Sequence, residues 1–210
     1  AGKRWRPFLT VAAYQALQEE PGSEVTDRLK AVAVAVECFH KASLVHDDIE
    51  DEDVERYGEA TLHAEHGLAV ALNAGDWLIG EGYRLLAESG FDAAVRVKML
   101  QVAAQGQRDL CLGQGAELAW EKGQGMLSTT QVLEIFRKKT APAFEVALRL
   151  GALAAGEDAY EEVEDVLAAY SKAMGVAYQI RDDLEDFRGG NDGAGDVAGV
   201  RLSVVIAAGY

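Results

Sequence analysis

An all-α fold, a bundle of many helices around a central cavity or core, follows from three features of this 210-residue sequence. It contains only three prolines, alanine and leucine dominate it, and no window reads as a hairpin or a βαβ unit. The length predicts one domain or at most two. A hydrophobic fraction of 49% is ample for a core, and 26% charged residues is ordinary for a globular chain. No internal repeat of 20–50 residues is visible.

The elements read off in order. Pro7 sits at the start of a first helix that runs to about Glu20, where its missing N–H costs little. "EPGSEV" is a turn, with Ser23 as a plausible N-cap. Val25 to about Val54 reads as one long helix, apolar on more than one face and therefore central. "RYGEATLHAEHG" interrupts the pattern, and helices resume near 68–86, 91–118, 128–153 and 160–187. "RGGNDGAGD" is a glycine-rich loop before a last short helix from about Val197. Trp77 and Phe136 are expected to pack in the core.

Charge and cysteine content narrow the function classes. Thirty-five acidic residues against 20 basic ones give a net charge of −15. That balance repels nucleic acid and anionic membranes, yet it allows an anionic ligand where metal ions neutralise local carboxylates. Cys38 and Cys111 lie in apolar helical contexts and read as reduced core residues. No apolar run is long enough for a transmembrane span. A cytoplasmic enzyme fits best.

Two acidic clusters carry the chemistry: Asp47-Asp48-Ile49-Glu50-Asp51 and Asp182-Asp183-Leu184-Glu185-Asp186. Residues four apart share a helix face, so Asp47 projects with Asp51, and Asp182 with Asp186. One such pair is common on a solvated face. The same D-D-x-x-D spacing twice, each time after an apolar helical stretch, points instead to hard oxygen ligands for Mg²⁺ and a bound diphosphate. Zinc fits poorly, because neither cysteine has a partner at ligand spacing.

With these motifs the chain resembles the trans-isoprenyl diphosphate synthases, the polyprenyl synthetase family. The resemblance spans nearly the whole chain and runs in the family's order. It comprises "GKRWRP" (Gly2 to Pro7), "HKASLVHDDIED", "GDWLIG" (Gly75 to Gly80), "GQGAEL" (Gly113 to Leu118), Lys139-Thr140 and "YQIRDDLEDF". Family members extend further at both ends, so a single synthase domain over 1–210, incomplete at both termini, is expected. The resemblance implies that an allylic diphosphate ionises and that isopentenyl diphosphate attacks the cation, giving a longer trans-prenyl diphosphate. It further implies Mg²⁺ as cofactor, about three ions per active site with substrate bound, and a homodimer.

Carried over residue by residue, Asp47, Asp51 and Asp182 are the direct Mg²⁺ ligands, and Asp48, Asp183 and Asp186 support them directly or through water. Arg56, Lys139 and Arg201 match contacts of the allylic diphosphate, Arg201 less closely. Lys3, Arg6 and His40 match the isopentenyl diphosphate site. Thr140 and Gln179 match positions whose oxygens face the reacting carbons. Taken alone, Lys3 and Arg6 read as a solvated patch and His40 as a core histidine. His46 reads as supporting or structural, and His63 and His66 as ordering the segment after the long helix.

The chain also departs from the family pattern. Tyr57 stands where a second arginine is usual, in Arg56-Tyr57-Gly58, and a tyrosine hydroxyl binds phosphate more weakly than a guanidinium. The usual lysine after the second motif is absent, with Asp192 near that place. Ala42 and Ser43, five and four residues before Asp47, are small, and Phe39 lies a turn deeper. A product near geranylgeranyl length is therefore expected. Two alternatives compete with chain elongation: a class I terpene synthase or cyclase on the same fold, and a non-catalytic subunit of a prenyl synthase.

Overall fold

A computed structural model describes residues 4–18, 24–123 and 127–189, with backbone only at 121–123 and 185–189. It is all-α apart from one small hairpin, as the composition predicts. The chain forms two compact units: 1–103 with 147–162, and 104–146 with 163–210.

In the first unit, α1 (Trp5–Ala16) packs on α2 (Asp27–Glu50), and α2 packs along α4 (Leu68–Ala87). Thr26, not Ser23, caps α2: its Oγ1 accepts from the Leu29 N–H at 3.3 Å, while Ser23 lies outside the described residues. Leu29, Val32, Ala33, Ala35 and Val36 are buried, so tertiary packing holds the β-branched run AVAVAV in a helix. Two glycines of α4 let the helices approach closely. A Cβ at Gly75 would stand 2.2 Å from His46 Nε2, and one at Gly82 would stand 2.6 Å from Phe39 Cε1. Both pairs are seven residues apart and run antiparallel, two turns of matched surface. Phe39 also meets the Tyr83 ring edge-on at 5.0 Å.

α2 ends at Glu50, earlier than the expected Val54, without a glycine or proline to mark the stop. Glu52 takes a left-handed φ of 56°. The Asp53 N–H then bonds the Asp48 carbonyl at 3.0 Å, and the Glu52 N–H bonds the Ile49 carbonyl at 3.4 Å. This is the Schellman arrangement, with glutamate where glycine is usual. The segment that interrupts the helical pattern holds a hairpin that the sequence reading missed: β1 (Glu55–Arg56) against β2 (Glu59–Ala60), Arg56 opposite Glu59. Tyr57 (φ 57°) and Gly58 (φ 81°) form its two-residue turn, with the positive φ pair of a type I′ turn. Buried Thr61 ties the hairpin down. Its hydroxyl donates to the Asp53 carbonyl at 2.7 Å and its N–H to the Val54 carbonyl at 3.1 Å. Strands of two residues and a Tyr-Gly turn carry almost no sequence signal. A short α3 (Leu62–His66) leads into α4, with His63 Nδ1 3.2 Å from Thr61 Oγ1; His66 Nε2 lies 3.8 Å from the exposed carboxylate of Glu65.

Three helices, α5 (Ala93–Gly123), α6 (Thr129–Ala155) and α7 (Glu157–Gly189), contribute to both units. In the second unit, α6 lies between close approaches from its neighbours. A Cβ at Gly113 of α5 would be 2.5 Å from the backbone of Lys138 and Lys139, and one at Gly175 of α7 would be 2.6 Å from Ala141. Pro142 inside α6 has no N–H for the Lys138 carbonyl, the group Gly113 approaches. Phe136 is buried with Val132 against Trp120, Leu127 and Ile135, as expected. Trp77 is not core: it is 65% exposed, on the face of α4 away from the buried Ala71, Gly75 and Gly82. Cys111 is exposed and Cys38 half-buried, both free thiols, so the core assignment fails for Cys111. A small side chain at helical spacing does not reveal which face looks outward. The expected helix from Val197 lies outside the described residues.

Candidate active site

The first aspartate cluster forms the last turn of α2. The Asp51 N–H donates to the Asp47 carbonyl at 2.8 Å, so these two residues stand one turn apart on one face. Four carboxylates crowd a helix C-terminus, where the macrodipole disfavours negative charge, and no basic residue of the last turn offsets them. The offsetting cation comes from the hairpin. Arg56 Nε donates to Asp48 Oδ1, and Arg56 Nη2 lies 3.9 Å from Asp53 Oδ2. Asp48 is only 6% exposed. Its carboxylate is thus buried against a guanidinium, whereas Asp47 and Asp51 are half-buried.

A second cationic feature sits further back on the same helix. Arg6 from α1 donates through Nη1 to His40 Nε2 at 2.9 Å. Burial first, and then the charges of Arg6, Lys41 and Arg56, push the His40 imidazole down to about 3. His40 is therefore neutral at physiological pH, and the charge of this cluster belongs to the arginine. The Ser43 hydroxyl donates to the His40 carbonyl at 2.9 Å. Ser43 is exposed, while Ala42 is 1% exposed, so the two small residues before the motif face different surroundings. His46 lies 3.6 Å from Asp76 Oδ1 of α4. Asp76 is a neighbour that sequence reasoning gave no role, although it stands inside "GDWLIG".

In the second unit, Thr140 and Gln179 meet, a contact that the sequence reading did not foresee. The Thr140 hydroxyl donates to Gln179 Oε1 at 3.0 Å, linking α6 to α7. Lys139 pairs with Glu117 at 2.6 Å, both side chains largely buried. Glu117 was also missed; its only signal was an acid in the "GQGAEL" helix. Arg181 stacks over the Tyr178 ring at 4.7 Å and reaches Asp182 Oδ1 at 3.0 Å. Asp182 and Asp183 are half-buried on α7. Lys3, Arg201 and the side chain of Asp186 lie outside the described residues.

Each cluster by itself offers carboxylate oxygens from a helix turn, the donor type that a hard divalent cation takes. Among the described residues no three acidic, histidine or cysteine side chains converge on one point. A Mg²⁺ ion held here would complete its shell with water and substrate oxygens, as that ion commonly does. Among the described residues no helix is long and apolar enough to cross a membrane.

A polyprenyl synthetase family model matches residues 1–200. The chain is 34% identical over 214 residues to the geranylgeranyl pyrophosphate synthase of Geoglobus acetivorans, covering 99% of this chain and 64% of that protein. It is 33% identical over 195 residues to the short chain isoprenyl diphosphate synthase of Methanocaldococcus jannaschii, covering 90% and 54%. Of solved structures, the Geoglobus acetivorans geranylgeranyl pyrophosphate synthetase superposes with a TM-score of 0.88 at 31% identity, covering 100% and 64%. The Helicobacter pylori geranyltransferase gives 0.83 at 28%, covering 100% and 72%. The chain spans 54% and 64% of the length of these two curated relatives.

Proposed function

The chain belongs to the polyprenyl synthetase family, and we propose that it is a Mg²⁺-dependent trans-prenyltransferase that joins an allylic diphosphate to isopentenyl diphosphate. The observation that carries this reading is the pairing of Asp48 with Arg56 at the end of an otherwise acidic helix turn, with Arg6 held by His40 on the same helix. On this reading they are two anion-binding features, one built around carboxylates that need a metal and one built around the Arg6 guanidinium.

On this reading Asp47, Asp51 and Asp182 hold Mg²⁺, supported by Asp183 and Asp186. The metal, when bound, neutralises the allylic diphosphate and stabilises the charge it gains on leaving. Arg56 and Lys139 bind and orient that diphosphate, with Arg201 assisting, and Glu117 keeps the Lys139 ammonium in place. Lys3 and Arg6 bind the diphosphate of isopentenyl diphosphate. Thr140 donates its proton to Gln179, which leaves lone pairs on both oxygens free to face a carbocation. The carbon–oxygen bond of the allylic substrate breaks, the isopentenyl double bond forms the new carbon–carbon bond, and a proton leaves. The small residues Ala42 and Ser43 before the first motif are the ground for reading the product as near geranylgeranyl length.

The protein is further read as a cytoplasmic homodimer. Free Cys38 and Cys111 fit a reducing compartment. Val70 and Trp77, 54% and 65% exposed on α4, offer an apolar face to a second copy.

The test is to incubate the full-length protein and Mg²⁺ with geranyl or farnesyl diphosphate, with and without isopentenyl diphosphate, and to identify products by mass. A dimer that extends the chain only when isopentenyl diphosphate is present is the expected result. A hydrocarbon or alcohol formed without it would make the protein a terpene synthase, and no turnover would make it a non-catalytic subunit.

A further inference from the structure

We infer that Thr61 is a positioning residue: its hydroxyl closes the loop that carries Arg56, and so sets where that guanidinium meets the allylic diphosphate. The identity of the diphosphate rests on the prenyltransferase reading above, while the loop closure rests on the geometry. From Val54 to Ala60 every residue is exposed except Arg56, which is half-buried. Two strands of two residues offer no apolar face, and an isolated hairpin is marginal in water. Thr61, 3% exposed, is the buried residue at its exit.

Thr61 has the backbone of an N-cap for α3 (φ −68°, ψ 156°), yet its side chain makes no cap bond there. A threonine at such a position commonly accepts from an N–H of the first helical turn. Here the hydroxyl turns back by eight residues and donates to the Asp53 carbonyl at 2.7 Å. The Thr61 N–H donates to the Val54 carbonyl at 3.1 Å. The single hydroxyl proton is thereby engaged. The contact with His63 Nδ1 at 3.2 Å must then be a donation from the ring N–H to a hydroxyl lone pair. His63 thus orients the hydroxyl from α3, and in the neutral ring its proton sits on Nδ1.

Asp53 is where these bonds meet Arg56. Its N–H donates to the Asp48 carbonyl of α2 at 3.0 Å, its carbonyl accepts from Thr61, and its carboxylate lies 3.9 Å from Arg56 Nη2. Arg56 Nε in turn donates to Asp48 Oδ1. With the exit of the hairpin released, Arg56 and its loop would have to be ordered at the moment the anion binds, and that ordering costs affinity.

The test is steady-state kinetics of the full-length protein with Mg²⁺ in Thr61→Val, which keeps the shape without the hydroxyl, in Arg56→Met and in the two combined. Thr61→Val is expected to raise the allylic KM about fivefold, with kcat and the KM for isopentenyl diphosphate within about twofold. Thr61→Ser, which keeps the hydroxyl, is expected to stay within about twofold of the parent. In the Arg56→Met background, Thr61→Val is expected to change the allylic KM by less than about twofold, because the residue it acts through is gone. A fivefold rise in both backgrounds, or an unchanged allylic KM in Thr61→Val, would overturn the positioning role.

A measurement without substrate decides the loop closure even where Thr61→Val fails to fold. ¹⁵N-histidine spectra of the parent protein at about pH 8.5, where an ordinary imidazole is neutral, are expected to show His63 protonated at Nδ1 and bare at Nε2, with His63→Gln identifying the signals. A proton on Nε2 would overturn the inference. Absence of elongated product from the parent protein would instead sink the prenyltransferase reading, and the His63 spectrum would still decide the loop closure.

Discussion

Asp48 and Arg56 hold each other at the end of α2. Replacing Arg56 with Met strips a carboxylate that is 6% exposed of its guanidinium. Leaving a buried charge without its partner costs more than the pair contributed, so a loss of about 2 kcal/mol in urea unfolding is expected. Arg56→Met combined with Asp48→Asn should recover most of that loss, because neither variant then strands a charge. A loss in the double variant equal to the sum of the single losses would mean that the pair is not coupled. The identity of both residues was legible in the sequence, since the motif names them. Their pairing was not, because it depends on a turn that returns Arg56 to the helix it follows. Trp77 failed for the opposite reason: a large aromatic in an apolar helix reads as core wherever the buried face is not known.

At the scale of elements, the hairpin decides where Arg56 stands, and two left-handed residues decide the hairpin. Glu52 ends α2 and Tyr57 opens the turn, each with a φ that non-glycine residues seldom adopt. Tyr57 is 74% exposed, so packing does not hold it in that conformation. Tyr57→Asn, which supplies the Asn-Gly pair that type I′ turns favour, is expected to stabilise the protein by about 0.5 kcal/mol. The same substitution should raise KM for isopentenyl diphosphate if the phenol touches that substrate, and chemical unfolding beside steady-state kinetics separates the two effects. A stability loss would contradict the strained-turn account. The helices themselves were largely legible, with ends displaced by a few residues, because helix propensity is high along most of the chain. The end of α2 was not, since a Schellman stop at glutamate carries no glycine to announce it.

At the scale of the molecule, two motifs far apart in sequence fall in different compact units, one on α2 and one on α7. Their duplication was visible in the sequence. What sequence spacing could not supply is the support around each motif: Gly75 beneath His46, Gly113 and Gly175 against the Lys139–Ala141 stretch, and Glu117 on Lys139. These are close approaches between helices, set by tertiary packing and not by local pattern. The central claim is that the first unit carries two separate anion sites, one organised by Arg56 and one by Arg6. Steady-state KM values for both substrates in Arg6→Met and Arg56→Met test it most directly. The account predicts that Arg6→Met raises KM for isopentenyl diphosphate about tenfold or more and leaves the allylic KM unchanged, while Arg56→Met does the reverse. Both variants raising the same KM, or raising both equally, would contradict it.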